Sequence, residues 1–246
     1  MPISKDFTSI LTQDWEINFL QCYPNGYLKY TDLCNIIQLT AGVHAEMGGI
    51  SFSDMQVHHQ AWVLSRMRVE VKRLPKWKEV VTVKTWINSL EKSRSIRCLE
   101  VFIGNEKIVG CETFWAVFNT QTRRPENLAL AHEHFEKYPN DKATAVQVSK
   151  IDTSINKSFI SEKLVLFSDL DIVNHANSVK YLEWCLDYYE PKLLLKQSIQ
   201  SFEMNYLKEV SLNETVTIER SDVHNSTTFT VQSKEKICFA LQLNLT

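Results

Sequence analysis

One order of elements occurs twice in this chain, and no other feature limits its fold as strongly. Thr31 and Asp32 can cap the free amides of a helix start. Leu33, Ile36, Ile37, Thr40, Val43, His44 and Met47 then follow at helical spacing before Gly48 and Gly49. This predicts one long helix over 31–48. Strands follow at 62–73, 80–87, 95–103 and 108–119, rich in β-branched and aromatic residues. In the first of them Met67, Val69 and Val71 alternate with Arg66, Arg68, Glu70 and Lys72, giving a dry face and a charged face. Gly104 and Asn105 supply a turn. After a polar stretch at 122–157, punctuated by Pro125 and Pro139, the order restarts. A strand is expected at 159–168, then a helix at 177–190 with Val179, Leu182, Cys185, Leu186 and Tyr189 on one face. Pro191 opens a shorter helical piece. Strands at 201–209, 214–220, 226–233 and 236–245 complete the second pass.

The two passes also echo each other in sequence. RLPKWKEVVTV at 73–83 and KEVSLNETVTI at 208–218 each run from a basic residue through a polar turn with Glu into a β-branched strand. A helix that is apolar on one face must bury it, and the strands after it are what can cover it. The chain therefore reads as α+β, a long helix wrapped by an antiparallel sheet, twice over: a tandem (double) hotdog. Its 246 residues divide into two units of ordinary domain size. The first is 1–130, the second 159–246, and 131–158 is a connector with room for some helix.

Other readings fall away on composition. Apolar residues at 44% and charged residues at 23% exclude a disordered chain. No apolar run approaches the ~18–20 residues that cross a bilayer, so no membrane span is expected. The first residues show no basic start followed by an apolar core, which predicts a cytoplasmic protein without a leader. Cys22, Cys34, Cys98, Cys111, Cys185 and Cys238 form no metal-spaced pairs and read as reduced thiols. His58, His59, His132 and His134 stand apart from cysteine or acidic clusters. No metal, no cofactor and no nucleic-acid partner is expected. Net charge is −2, yet residues 61–124 hold 13 Lys/Arg against 6 Asp/Glu. Such a basic middle either steers an acidic partner or solvates a sheet face.

The densest polar cluster within apolar sequence is SDLDIVNHANS at 168–178, between a strand and a helix start. A turn there can present backbone amides to a polarised oxygen. It also holds a carboxylate and an imidazole within one short loop, as acyl transfer to water requires. The same residues have a structural reading: Asp169 or Asp171 as turn residues, Asn177 as a helix cap, His175 as a satisfied loop histidine.

DLDIVNHANSVKYLEWC, from Asp169 to Cys185, resembles the signature loop of the acyl-[acyl carrier protein] thioesterases, with Asp171, His175, Asn177, Tyr181 and Trp184 at matching positions. WVLSRMRVEVKRLPKW from Trp62, Thr85-Trp86 and FWAVFNTQTRRP from Phe114 resemble the first half of the same family. The resemblance covers about residues 60–215. It implies a double hotdog that hydrolyses fatty acyl thioesters of acyl carrier protein. The acyl chain would lie against the long helix of the first unit, and the chemistry would sit in the second. It assigns catalytic roles to Asp171, His175 and Glu209, the last in NYLKEV. Two departures stand out. Val173 occupies the place of a family Asn, so Asn174 or a backbone amide near 174–176 (Ala176 among them) would contact the thioester oxygen, with Asn177 beside the substrate. Val210 replaces a family Cys, which favours water over a thiol nucleophile. Arg66, Arg68, Lys72, Arg73, Lys76 and Lys78 are candidates to meet an acidic carrier protein, or they solubilise the sheet. A monomer and a homodimer are both compatible with the duplication. An acyl-CoA thioesterase is the nearest alternative. A hotdog hydratase or dehydratase and a lipid binder without turnover stand further off.

Overall fold

The computed structural model describes residues 3–245. Ten antiparallel strands form one sheet: β1 (Ile10–Glu16), β2 (Gln60–Val71), β3 (Val80–Glu91), β4 (Arg94–Ile103), β5 (Glu106–Asn119), β6 (Ser158–Leu164), β7 (Ile199–Tyr206), β8 (Thr215–Val223), β9 (Ser226–Ser233) and β10 (Lys236–Leu245). Their order across the sheet is β1-β3-β4-β5-β2-β7-β10-β9-β8-β6. Read outward from the centre, each half repeats the same sequence of strands. The halves join where β2 pairs with β7, from Arg66 opposite Asn205 to Glu70 opposite Ser201. Two helices lie against one face, α1 (Tyr30–Met47) and α3 (Ser178–Leu186). Short helices α2 (Phe52–Gln56) and α4 (Pro191–Leu195) follow them. One continuous apolar cluster runs through both halves, with Tyr30 of α1 edge-on to Phe202 of β7 at 5.8 Å.

Local differences from the sequence expectations have physical reasons. The edge strand β1 lies where no clean period is visible, because an edge strand is half covered and carries few apolar residues. The α1 cap position is Lys29, not Thr31 or Asp32. Asp32 instead sits in the first turn, where the helix dipole favours a carboxylate. Helix α3 stops at Leu186, and Pro191 takes the first turn of α4.

The connector carries no helix among its described residues. Its first part packs His134 and Phe135 against the C-terminal end of α1, and from 143 to 151 it is an extended strap across the sheet face opposite the helices, held by sheet side chains. Glu70 accepts the Ala145 amide at 2.7 Å, Glu112 that of Val148 at 3.1 Å, and Asn205 that of Ile151 at 3.0 Å. Glu203 accepts from Ser149. This covering corrects one expectation. Arg68 is buried beneath the strap, paired with Glu70 at 3.0 Å and with Glu203 at 3.4 Å, so it cannot meet a carrier protein. Arg66 lies over the Phe114 ring. Lys72, Lys76 and Lys78 are exposed and Arg73 half-buried.

Candidate active site

The chemistry-bearing loop is rigidly tied. Leu170 and Ala176 bridge at its neck. Within it the Asp171 amide donates to the His175 carbonyl at 2.8 Å, and the Asn174 amide donates to the Asp171 carbonyl at 3.0 Å. Asp171 Oδ1 accepts the amides of Val173 at 3.0 Å and His175 at 3.2 Å. Asn174 stands exposed at the tip with φ +66°, a left-handed conformation that Asn tolerates better than most residues. The loop then enters α3 through Asn177, whose Oδ1 caps the Val179 amide at 2.9 Å.

This geometry sets His175 Nε2 3.4 Å from Glu209 Oε2, which comes from the segment between β7 and β8. Arg123, in the turn after β5, pairs with the same Glu209 oxygen. Three segments distant in sequence thus converge on one imidazole. Partial burial lowers the His175 pKa, the Arg123 charge lowers it further, and Asp171 opposes both. The lowered pKa favours the neutral, base form of the ring.

The amides of residues 173–177 are already in use. The Ala176 amide donates to the Val210 carbonyl at 2.9 Å and that of Asn177 to the Asp169 carbonyl at 2.8 Å. Together with the bonds of Asn174 and His175, this removes Ala176 and its neighbours as backbone donors to a thioester oxygen. The Ile172 amide and the Ser178 amide at the start of α3 make no hydrogen bond within the described residues, and side-chain amides stand beside them. Asn177 Nδ2 makes no hydrogen bond within the described residues. Gln38 of α1, joined through its Oε1 to Ser178 Oγ at 3.0 Å, has a buried Nε2 without a partner.

The first half contains the same loop without the chemistry. Cys22 and Leu28 bridge its neck, Tyr23 and Tyr27 close it at 2.7 Å, and Gly26 takes the tip with φ +79°. Tyr23 stands where Asp171 stands and Tyr27 where His175 stands. The Leu28 amide bonds to Pro75 as that of Ala176 bonds to Val210, so Leu74 answers to Glu209. Lys76 lies over the Tyr27 ring at 5.0 Å. Lys76 therefore stands beside the first half's own loop.

A path leads from α3 into the first half. Asn177 and Val179 share a cleft with Gln38, Gly42 and Phe52. Gln38, Gly42 and Phe52 also line a cavity of about 230 Å³ between α1 and the sheet, walled by Ala41, Ala45, Ile50, Trp62 and Trp115. Asp171 and His175 do not line either space; Asn177 is the link between loop and path. Gln38 and Arg123 carry no signal in the sequence. Gln38 sits beside the apolar stripe of α1, and Arg123 is one of two adjacent arginines in a polar turn.

The sequence matches the family description "Acyl-ACP thioesterase N-terminal domain" over residues 8–138 and "Acyl-ACP thioesterase C-terminal domain" over 152–243. It is 28% identical over 218 residues to a chloroplastic palmitoyl-acyl carrier protein thioesterase of Cuphea hookeriana, covering 81% of this chain and 52% of that one. It is 24% identical over 219 residues to a chloroplastic oleoyl-acyl carrier protein thioesterase of Coriandrum sativum, covering 80% and 59%. The chain thus spans little more than half the length of these curated relatives. Among solved structures, an acyl-ACP thioesterase from Bacteroides thetaiotaomicron superposes with TM-score 0.88 at 24% identity, over 97% of this chain and 98% of that one. The 12:0-ACP thioesterase from Umbellularia californica gives 0.78 at 19% identity, over 97% and 98%. These likenesses show the fold, a double hotdog.

Proposed function

Because this chain belongs to the acyl-ACP thioesterase family, we propose that it hydrolyses the thioester between a fatty acyl chain and acyl carrier protein. The observation that carries this reading is the approach of His175 to Glu209 on a loop held in shape by Asp171. Water attacks the thioester carbonyl carbon, and His175 takes its proton. Glu209 stabilises the imidazolium that forms. The tetrahedral intermediate then expels the carrier sulfur as the C–S bond breaks, and the imidazolium returns the proton to the thiolate. Asp171 positions His175 by binding its amide. Asn177 Nδ2 and Gln38 Nε2 border the acyl path and are the donors for the developing oxyanion, with the Ser178 amide and Asn174 Nδ2 as further donors nearby.

The acyl chain enters between α1 and α3 and ends in the cavity under α1. Lys72, Arg73, Lys76 and Lys78 form the docking surface for the acidic carrier. One chain supplies both halves of the sheet, so a monomer suffices for activity. The test is thiol release from a chain-length panel of acyl carrier proteins, with acyl-CoA of equal length beside it. His175→Ala and Glu209→Ala should each lower kcat by about 10²–10⁴-fold. Unchanged rates in both would remove the site assignment, and a preference for CoA would replace the carrier.

A further inference from the structure

The cavity under α1 is apolar apart from a few polar groups, and one of these is charged. Trp62 Nε1 donates to the Ile50 carbonyl at 3.1 Å and Trp115 Nε1 to Thr113 Oγ1 at 2.9 Å, so both indole N–H groups are satisfied. Arg97 of β4 lines the same space and is only 6% exposed. Its Nη1 donates to His44 Nδ1 at 2.7 Å and to Thr85 Oγ1 at 3.3 Å. His44 Nε2 lies 2.9 Å from the Thr8 carbonyl, which can only accept. That nitrogen therefore carries the hydrogen, Nδ1 offers its lone pair, and the ring is neutral. Burial and the neighbouring guanidinium push the His44 pKa down to about 3. Burial lowers that of Arg97 to about 10, which leaves it charged at neutral pH. No carboxylate among the described residues pairs with it.

A buried cation held only by neutral acceptors is costly, and an apolar side chain of similar volume would fill the site without that cost. A plain alkyl chain entering the cavity would strip water from the guanidinium and return nothing. An oxygen on the chain would return a charge-assisted hydrogen bond. We propose that Arg97 is a specificity-determining residue that receives an oxygen of the acyl chain, so that the enzyme's substrates are acyl chains bearing a hydroxyl, oxo or carboxylate group within the cavity. This rests on the thioesterase reading and deepens it to the class of acyl chain. Ser95, which also lines the cavity, lies on the same strand two residues from Arg97.

The test compares carrier-protein thioesters of one chain length: unsubstituted, with a single hydroxyl or oxo group moved along the chain, and with a terminal carboxylate. For the wild-type protein, kcat/KM for at least one oxygenated chain should exceed that of the plain chain by about ten-fold or more. Arg97→Met should reverse that order while keeping hydrolysis of the plain chain. Binding is read separately, from the melting temperature with the free fatty acids. The matching oxygenated acid should raise the wild-type value more than the plain acid does, and Arg97→Met should lose the difference. If that variant does not fold, Arg97→Gln and the wild-type comparison carry the test. A wild-type enzyme that prefers the plain chain over every oxygenated one, in both rate and binding, would overturn the proposal. Selective binding without hydrolysis of any thioester would instead sink the thioesterase reading and leave the role of Arg97 standing.

Discussion

At the scale of single residues, the site depends on how neighbours share one imidazole. Asp171 and His175 were legible because they sit four apart in a polar loop between apolar elements. Glu209 was legible only through its resemblance to a family motif, since a carboxylate near a strand end carries no signal of its own. Arg123 was not legible, and it is the residue whose charge bears most directly on His175 after burial. Its positive charge disfavours the imidazolium, so removing it should raise the His175 pKa. The acid limb of the kcat/KM profile should then move to higher pH in Arg123→Gln, and less so at high salt because Arg123 is largely exposed. An acid limb that stays in place would show that Arg123 does not set the protonation of the base. In the proposed reaction Asn177 combines its role as helix cap with that of an oxyanion donor. Asn177→Asp keeps the cap acceptor and loses the amide donor, so it should cut kcat with little change in melting temperature. Asn177→Ala should lose about 1 kcal/mol of stability as well.

At the scale of elements, the strap decides which charges are available. The period-two alternation of β2 correctly separates a dry face from a charged one. Sequence does not say whether water or protein covers the charged face. Here the strap covers it, and buried Glu112 and Glu203 accept its amides, a use of carboxylates that satisfies backbone donors away from water. The strap comes so close that a Cβ added at Gly110 would lie 2.0 Å from the Ala143 carbonyl oxygen. Gly110→Ala must displace the strap and should cost about 1–3 kcal/mol. For a chain of this size that is a fall in melting temperature of roughly 2–4 °C per kcal/mol. Thermal unfolding measures it directly, and an unchanged value would mean the strap is loosely held. Removing the Glu203 carboxylate by Glu203→Ala leaves Arg68 with Glu70 alone and orphans the Ser149 amide, so it should be at least as damaging.

At the scale of the whole molecule, the duplication has diverged in chemistry but not in trace. Both loops close with the same hydrogen bonds, and tyrosines fill the places of the carboxylate and imidazole in the first. The second half carries the carboxylate and imidazole, and residues of the first half line the cavity. Because β2 pairs with β7 and the apolar cluster passes through both halves, the two should unfold together. Tryptophan fluorescence and far-ultraviolet circular dichroism should report one coincident transition in denaturant. Two separated transitions would show that the seam is a contact between independent domains. By itself the sequence determined the repeat, the two main helices, every strand but the edge strand β1, and the loop that holds Asp171 and His175. Each of these rests on periodicity and local turn chemistry, which act over a few residues. Only the tertiary structure decided that Glu209 and Arg123 meet at His175, that the amides of 173–177 are committed, that Arg68 is covered, and that Arg97 stands charged inside an apolar cavity. Those facts depend on which distant segments pack together, and the identity of a polar side chain carries no record of its partner or of the water it has lost.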